Sequence, residues 1–176
     1  MSRASSIAVL RPPSLPAGID GYFRAYSGYV AAIALRLLGR AEDVDDVVQE
    51  VFLAAIEGVA RLREPQAVKA WLATVTARKV ARRLRMRRFR SFFGLETMPE
   101  YAKLAVGATQ EEATLVNRIY RILDGMPVNQ RIAWTLRHVE GEQLDSVAMI
   151  CGCSLATAKR RIVAAQEHLT KAVGDE

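Results

Sequence analysis

Cysteine is nearly missing from this chain: Cys151 and Cys153 are the only two, with one residue between them. A disulfide across that gap would be strained. Reduced thiols of a cytosolic protein are therefore expected, not a cross-linked secreted fold. Long apolar runs are missing too. None reaches the roughly 18 residues of a membrane-spanning helix, so no membrane span is expected. The N-terminus has an early arginine and a weak apolar patch at Ile7–Leu10, followed by prolines, which makes a poor signal peptide. Aromatics are few at 7%, yet hydrophobic residues make up 51%, enough for a core and against general disorder. Acids are absent from residues 78–90, and the net charge is +6. A basic globular chain points to a polyanionic partner.

Against that background one acidic stretch stands out, Glu42-Asp43-Val44-Asp45-Asp46-Val47-Val48-Gln49-Glu50-Val51-Phe52-Leu53. Read as a helix, Val44, Val47, Val48, Val51, Phe52, Ala55 and Val59 share one face at spacings of three and four. Glu42, Asp45, Asp46, Gln49 and Glu50 lie elsewhere, on a face without Lys or Arg. Acids near a helix N-terminus are favoured by the dipole. A solvated charged face would need nothing more.

The rest of the chain reads as helices. Residues 1–18 hold three prolines and little periodicity, as a flexible tail would. Asp20 or a neighbour is expected to cap a first helix. Its stripe is Ile19, Tyr22, Phe23, Tyr26, Val30, Ile33, Ala34 and Leu37, and Gly39 ends it. So short a link to the acidic helix implies an antiparallel pair. After a break from Gly58, Pro65 suits the first turn of a third helix. Val68, Trp71, Leu72 and Val75 form its stripe. Then come Arg78, Lys79, Arg82, Arg83, Arg85, Arg87, Arg88 and Arg90. Such density repels itself unless an anion neutralises it, so a nucleic-acid surface is expected.

Ser91 to Thr109 reads as an interdomain linker with a short helical turn near Tyr101 to Val106. From Glu112 a helical stripe resumes through Val116, Ile119, Tyr120 and Leu123 to the stop at Gly125-Met126-Pro127. Pro127 starts another helix to about Val139. Gln143–Cys151 is then a short helix, Gly152-Cys153-Ser154 a turn, and Leu155 to about Lys171 a longer helix. Ala148 is small enough to admit a partner helix, Gly152 permits the turn, and Ser154 is a good N-cap. Leu144, Val147, Ala158 and Ile162 would form the shared core. Ala156, Thr157, Lys159, Arg160 and Arg161 lie at or near the exposed front, as suits a helix entering a major groove.

Together these signals resemble the extracytoplasmic-function (ECF) sigma factors, the two-domain bacterial transcription initiation subunits. The resemblance covers roughly residues 19–172. Leu38-Gly39-Arg40 with the acidic helix, Trp71-Leu72, Arg137-His138-Val139-Glu140-Gly141 and the segment Gly152-Cys153-Ser154 to Arg161 carry it, in the family's order and spacing. It implies an all-α fold: a tail (1–18), a region-two domain (19–93), a linker (94–111) and a helix-turn-helix region-four domain (112–173). Asp46, Gln49 and Glu50 match positions that dock on the clamp helices of the largest subunit of core RNA polymerase. The loop from Gly58 to Val68 and the helix from Trp71 match the part that melts the minus-10 element of promoter DNA. Arg61, Arg63 and Lys69 flank that loop, and Arg78, Lys79, Arg82 and Arg83 follow for its phosphates. Trp71 is placed in the core stripe rather than on a base. Ser154, Ala156, Thr157, Lys159, Arg160 and Arg161 match the helix that reads the minus-35 element. An anti-sigma factor is the implied inhibitor. No cofactor, metal or catalytic residue is implied. Ala77-Arg78 stands where the family usually has Arg-Asn, and Val163-Ala164 where it is more basic. These differences bear on the promoter sequence more than on the class.

Three rival readings fit less of the chain. A stand-alone helix-turn-helix regulator leaves the acidic and basic helices unexplained and usually needs a dimer interface. A metal-dependent nuclease using Asp45, Asp46 and Glu50 lacks a second acidic cluster to converge with. Cys151, Cys153 and His138 lack a fourth ligand for a structural zinc. Cys151 reads as a small buried apolar residue.

Overall fold

The computed structural model describes residues 18–58, 65–94 and 109–174, and every element among them is a helix. The helices are α1 (Gly18–Leu38), α2 (Val44–Gly58), α3 (Pro65–Phe92), α4 (Gln110–Gly125), α5 (Val128–His138), α6 (Leu144–Ile150) and α7 (Leu155–Gly174). The expected tail, the segment 59–64 with Val59, Arg61 and Arg63, and the helical turn near Tyr101 lie outside the described residues.

Each apolar stripe turns inward. On α1, Val30, Ile33, Ala34 and Leu37 are buried, and on α2 so are Val44, Val47, Val48, Val51, Phe52 and Ala55. Phe23 is half exposed but sets its ring edge-on to Phe52, with centroids 4.9 Å apart. Val68 and Leu72 of α3 are fully buried, and Trp71 packs beside them. A Cβ on Gly58 would stand 2.7 Å from Cη2 of Trp71, so the indole lies over the end of α2.

Two helix starts differ from the sequence expectation. Asp20 does not cap α1. The helix already begins at Gly18 and Asp20 sits in its first turn, where the dipole favours an acid without any cap bond. Helix α4 begins before Glu112, because Thr109 and Glu112 form a capping box. Thr109 Oγ1 accepts from the Glu112 amide at 3.2 Å, and Glu112 Oε2 accepts from the Thr109 amide at 2.7 Å.

The N-terminal three helices and the C-terminal four pack against each other. One apolar cluster runs from α1, α2 and α3 into Ile132, Ala133, Leu136, Val147, Ala148, Ile150 and Ala158. A smaller one joins Tyr120, Leu123 and Met126 to Ala165 and Leu169. The polar part of the junction is the C-terminal end of α1. Its last four carbonyls have no partner within the helix. Leu35 O accepts from the Gly39 amide at 2.7 Å. Arg36 O accepts from Tyr120 Oη at 2.6 Å. Leu37 O accepts from Arg131 Nε at 3.2 Å and Leu38 O from Arg131 Nη2 at 2.8 Å. Side chains of α4 and α5 thus finish a helix that ended some eighty residues before them. Arg131 is only 2% exposed, and its Nη1 donates to Asp124. Nearby, Arg36 grips Glu140 through Nε and Nη2, the Nη2 bond measuring 2.7 Å.

Candidate functional site

The acidic flank of α2 does not face open water alone. Asp43, just before α2, and Asp46 and Glu50 within it are spaced three and four apart along one edge. Lys79, Arg83 and Arg87, each four apart on α3, meet that edge. Arg83 Nη1 donates to Asp43 Oδ1 at 2.9 Å and to Asp46 Oδ2 at 3.0 Å, and its Nη2 donates to Glu50 Oε1 at 2.7 Å. Lys79 Nζ lies 3.4 Å from Glu50 Oε2, and Arg87 pairs with Asp43 Oδ2. Asp43 meets Arg87 while Glu50 meets Lys79, so α2 and α3 run antiparallel along this ladder. Burial works against the Glu50 charge, but the hydrogen bonds from Arg83 and Lys79 outweigh it and hold its carboxyl below the usual range.

The outer face of α2 is different. Asp46, Gln49, Leu53 and Ile56 lie at spacings of three and four and are all exposed. Leu53 and Ile56, branched aliphatics, are 61% and 57% exposed. Sequence reasoning kept Asp46 and Gln49 and missed these two. The signal was present: they continue the non-valine face toward the helix end. Glu50 turns aside, with both oxygens engaged by α3.

The basic run of α3 divides three ways. Lys79, Arg83 and Arg87 face the α2 acids. Arg85 Nη2 donates to Asn129 Oδ1 at 3.1 Å and Arg88 Nη1 to Met126 O at 3.3 Å, both in the C-terminal half. Arg78 and Arg82, one turn apart, are exposed. Lys69 is also exposed, with Nζ 4.7 Å from the centre of the Tyr29 ring. Part of the repulsion that seemed to call for an outside anion is thus relieved from within, by the acids beside α3. Of the carboxylates suggested for a nuclease, Asp46 and Glu50 are held by cations of α3 and Asp45 is exposed, so the three do not ring a pocket. Among the described residues no group of three or more His, Cys, Asp and Glu could hold a metal ion.

The α6–α7 corner is built as its sequence prescribes. Gly152 takes φ +60°, a left-handed conformation that suits glycine. Ser154 Oγ accepts from the Thr157 amide at 3.2 Å, capping α7. Val147 and Ala158 are fully buried between the helices. Leu144 and Ile162 pack at the margin with Cys151, whose thiol burial pushes up to about 11. Ala156, Lys159, Arg160 and Val163 share the exposed front of α7, while Arg161 is half-buried to one side. Arg160 Nη2 also reaches Thr157 Oγ1 at 3.3 Å. No carboxylate pairs with Lys159 or Arg160 among the described residues, so that front is an uncompensated positive surface.

Residues 22–90 match Sigma-70 region 2. The chain is 31% identical over 140 residues to the ECF RNA polymerase sigma factor EcfG of Rhodopseudomonas palustris, covering 79% of this chain and 76% of that one. It is 26% identical over 155 residues to the ECF RNA polymerase sigma factor SigM of Mycobacterium tuberculosis, covering 88% and 76% of the two chains. Among solved structures, its fold is similar to the sigma factor RpoE in complex with the anti-sigma factor NepR from Bartonella quintana. That match has a TM-score of 0.65 and 21% identity, over 88% of this chain and 96% of that one. No helix among the described residues is long and apolar enough to cross a membrane. With 31% identity to EcfG over most of both chains, the chain belongs to the ECF RNA polymerase sigma factors.

Proposed function

We propose that this sigma factor engages its partners through three surfaces. The outer face of α2, with Asp46, Gln49, Leu53 and Ile56, docks on the clamp helices of core RNA polymerase. Arg61, Arg63, Lys69, Arg78 and Arg82 hold the melted minus-10 strand of promoter DNA. The corner α6–turn–α7 is a helix-turn-helix whose Ser154, Ala156, Thr157, Lys159, Arg160 and Arg161 read the minus-35 element. Residues 19–93 and 112–173 are the two promoter-reading units and 94–111 the link between them. The protein acts in the cytoplasm with the polymerase and performs no catalytic step of its own. An anti-sigma factor is its proposed inhibitor, by analogy with RpoE bound to NepR and CnrH bound to the cytosolic domain of CnrY.

The observation that carries the docking assignment is the pair of exposed aliphatics beside Asp46 and Gln49. An apolar centre rimmed by polar groups is what a stable interface uses. Asp46→Arg places a like charge against a surface selected for an acid, and like-charge juxtaposition is costly. It is expected to weaken core polymerase binding about tenfold or more, which is about 1.4 kcal/mol. The fold is expected to survive, since Asp46 projects into solvent. Co-elution with core enzyme measures it, and wild-type co-elution of the mutant refutes the docking face.

The minus-35 assignment has its own test. Arg160 lies on the exposed front of α7 without a carboxylate partner. Arg160→Ala is expected to cost roughly 1–3 kcal/mol and to relax preference at one base pair if the side chain reaches a base edge. If it reaches a phosphate, all sequences weaken alike and the salt slope falls by about one. Holoenzyme binding to a minus-35 substitution series distinguishes these. Unchanged affinity and preference would remove Arg160 from the interface.

A further inference from the structure

Arg83 occupies an unusual position for a DNA-facing arginine. Its side chain is 22% exposed and its two terminal nitrogens reach three carboxylates on and just before α2. Lys79 and Arg87 close the ladder at either end. Three acids and three cations cancel, so a phosphate approaching Arg83 meets no net attraction there. To contact that phosphate, Arg83 would have to release Asp43, Asp46 and Glu50. Those groups would then repel one another along a single helix edge.

The ladder also fixes what α2 presents outward. Asp43 uses both oxygens, one on Arg83 and one on Arg87. Glu50 uses both, on Arg83 and Lys79. Asp46 gives only Oδ2 to Arg83 and remains 66% exposed. Among the described residues its Oδ1 accepts no hydrogen bond. Held from behind by a rigid guanidinium fork, Asp46 is left with one oxygen turned toward the face that carries Gln49, Leu53 and Ile56. A planar fork that bridges two helical turns sets side-chain geometry in a way a point charge does not.

We infer that Arg83 is a positioning residue for polymerase docking, pre-setting the Asp46 carboxylate, and that it is not a contact to minus-10 DNA. The inference rests on the docking role of α2 proposed above. It assigns Arg83 to the opposite step from its neighbour Arg82, which faces solvent one position away on the same helix.

The test compares Arg83→Gln, Arg83→Lys and Arg82→Gln in the full chain. Core polymerase affinity and thymine reactivity to permanganate in open complexes, formed with core saturated by sigma, are both read. Arg83→Gln is expected to lower core affinity roughly tenfold, a coupling common for residues in contact. Thymine reactivity at saturation is expected to stay at the wild-type level. Arg83→Lys is expected to recover only part of the affinity, although it restores the charge. Coupling is read from Asp46→Asn combined with Arg83→Gln: the double variant is expected to bind core no worse than Arg83→Gln alone. Normal core affinity with lost thymine reactivity in Arg83→Gln would overturn the inference, because Arg83 would then serve the DNA. Full recovery of core affinity by lysine, or strictly additive losses in the double variant, would overturn the positioning role. Should Arg83→Gln fail to fold, Arg83→Lys against wild type carries the comparison: equal core affinity refutes the inference and a partial loss with intact thymine reactivity supports it. If Asp46→Arg also binds core normally, the docking face itself is wrong, and that failure is separable from this one.

Discussion

Arg131→Met is expected to destabilise the protein by about 3–5 kcal/mol, the range for removing one partner of a buried ion pair. The side chain is 2% exposed and nearly isosteric with methionine along its stem, so lost volume is not the main effect. What is lost are donors. Leu37 O and Leu38 O would be left in the interior without a partner, and a buried unsatisfied group costs roughly 1–3 kcal/mol. Asp124 would lose the Nη1 donor of Arg131. For a chain of this size each kcal/mol is worth about 2–4 °C, so the midpoint should fall by roughly 6–20 °C. Arg131→Lys is expected to restore a fraction, since one ammonium cannot span two carbonyls and a carboxylate in the guanidinium's plane. Urea unfolding of the three proteins measures this. A loss below about 1 kcal/mol for the methionine variant, an ordinary surface-like effect, would show that the junction contributes little.

Gly39→Ala comes second in size. Gly39 has φ +70°, and a Cβ there would stand 2.7 Å from Cε1 of Tyr120. The left-handed backbone alone costs roughly 1–2 kcal/mol for a non-glycine residue. The ring cannot swing aside freely, because Tyr120 is buried and its hydroxyl is tied to Arg36 O. Overpacking of this kind adds about 1–3 kcal/mol, giving roughly 2–5 kcal/mol in total. The two parts can be separated. In a Tyr120→Ala background the clash is gone and only the backbone cost remains. The glycine substitution should therefore cost less there, and equal costs in both backgrounds would place the whole effect in the backbone.

These two residues also mark where sequence reading stopped. The α2 stripe was legible because six valine, phenylalanine and alanine positions at spacings of three and four leave no other face to bury. The α6–α7 corner was legible because Gly152 and Ser154 act on their immediate neighbours. Arg131 gave no such signal. The carbonyls it caps lie 93 and 94 residues away, and its near partner Asp124 does not by itself distinguish it from the surface arginines around it. The basic run was legible only in part for the same reason. Counted along the chain, residues 78–90 hold eight cations and no acid, yet Arg83 has acids 33, 37 and 40 positions upstream. A local count cannot see a neutralising partner on another helix. Asp20 misled on a smaller scale, since an acid favoured by the dipole and an acid that caps look alike in sequence. Of the residues expected to serve the minus-10 strand, Arg61 and Arg63 lie outside the described residues. Arg78 and Arg82 are exposed, as a strand contact needs, and Lys79 and Arg83 are turned to α2.

The completion of α1 by Tyr120 and Arg131 has a consequence in time. A ribosome delivers Leu38 long before Arg131. The 93 residues between them take roughly 5–20 s to make at bacterial rates. Throughout that interval the emerging α1 has carbonyls at Arg36, Leu37 and Leu38 that only water can satisfy, and its final turn frays at little cost. The nascent N-terminal half therefore waits with its helix end unsealed, next to the Gly39 gap that the Tyr120 ring later fills. Synthesis of α4 supplies Tyr120, and α5 then supplies Arg131. A chain stalled or cleaved between Phe92 and Tyr120 leaves an N-terminal half that has its apolar stripes but not its last cap.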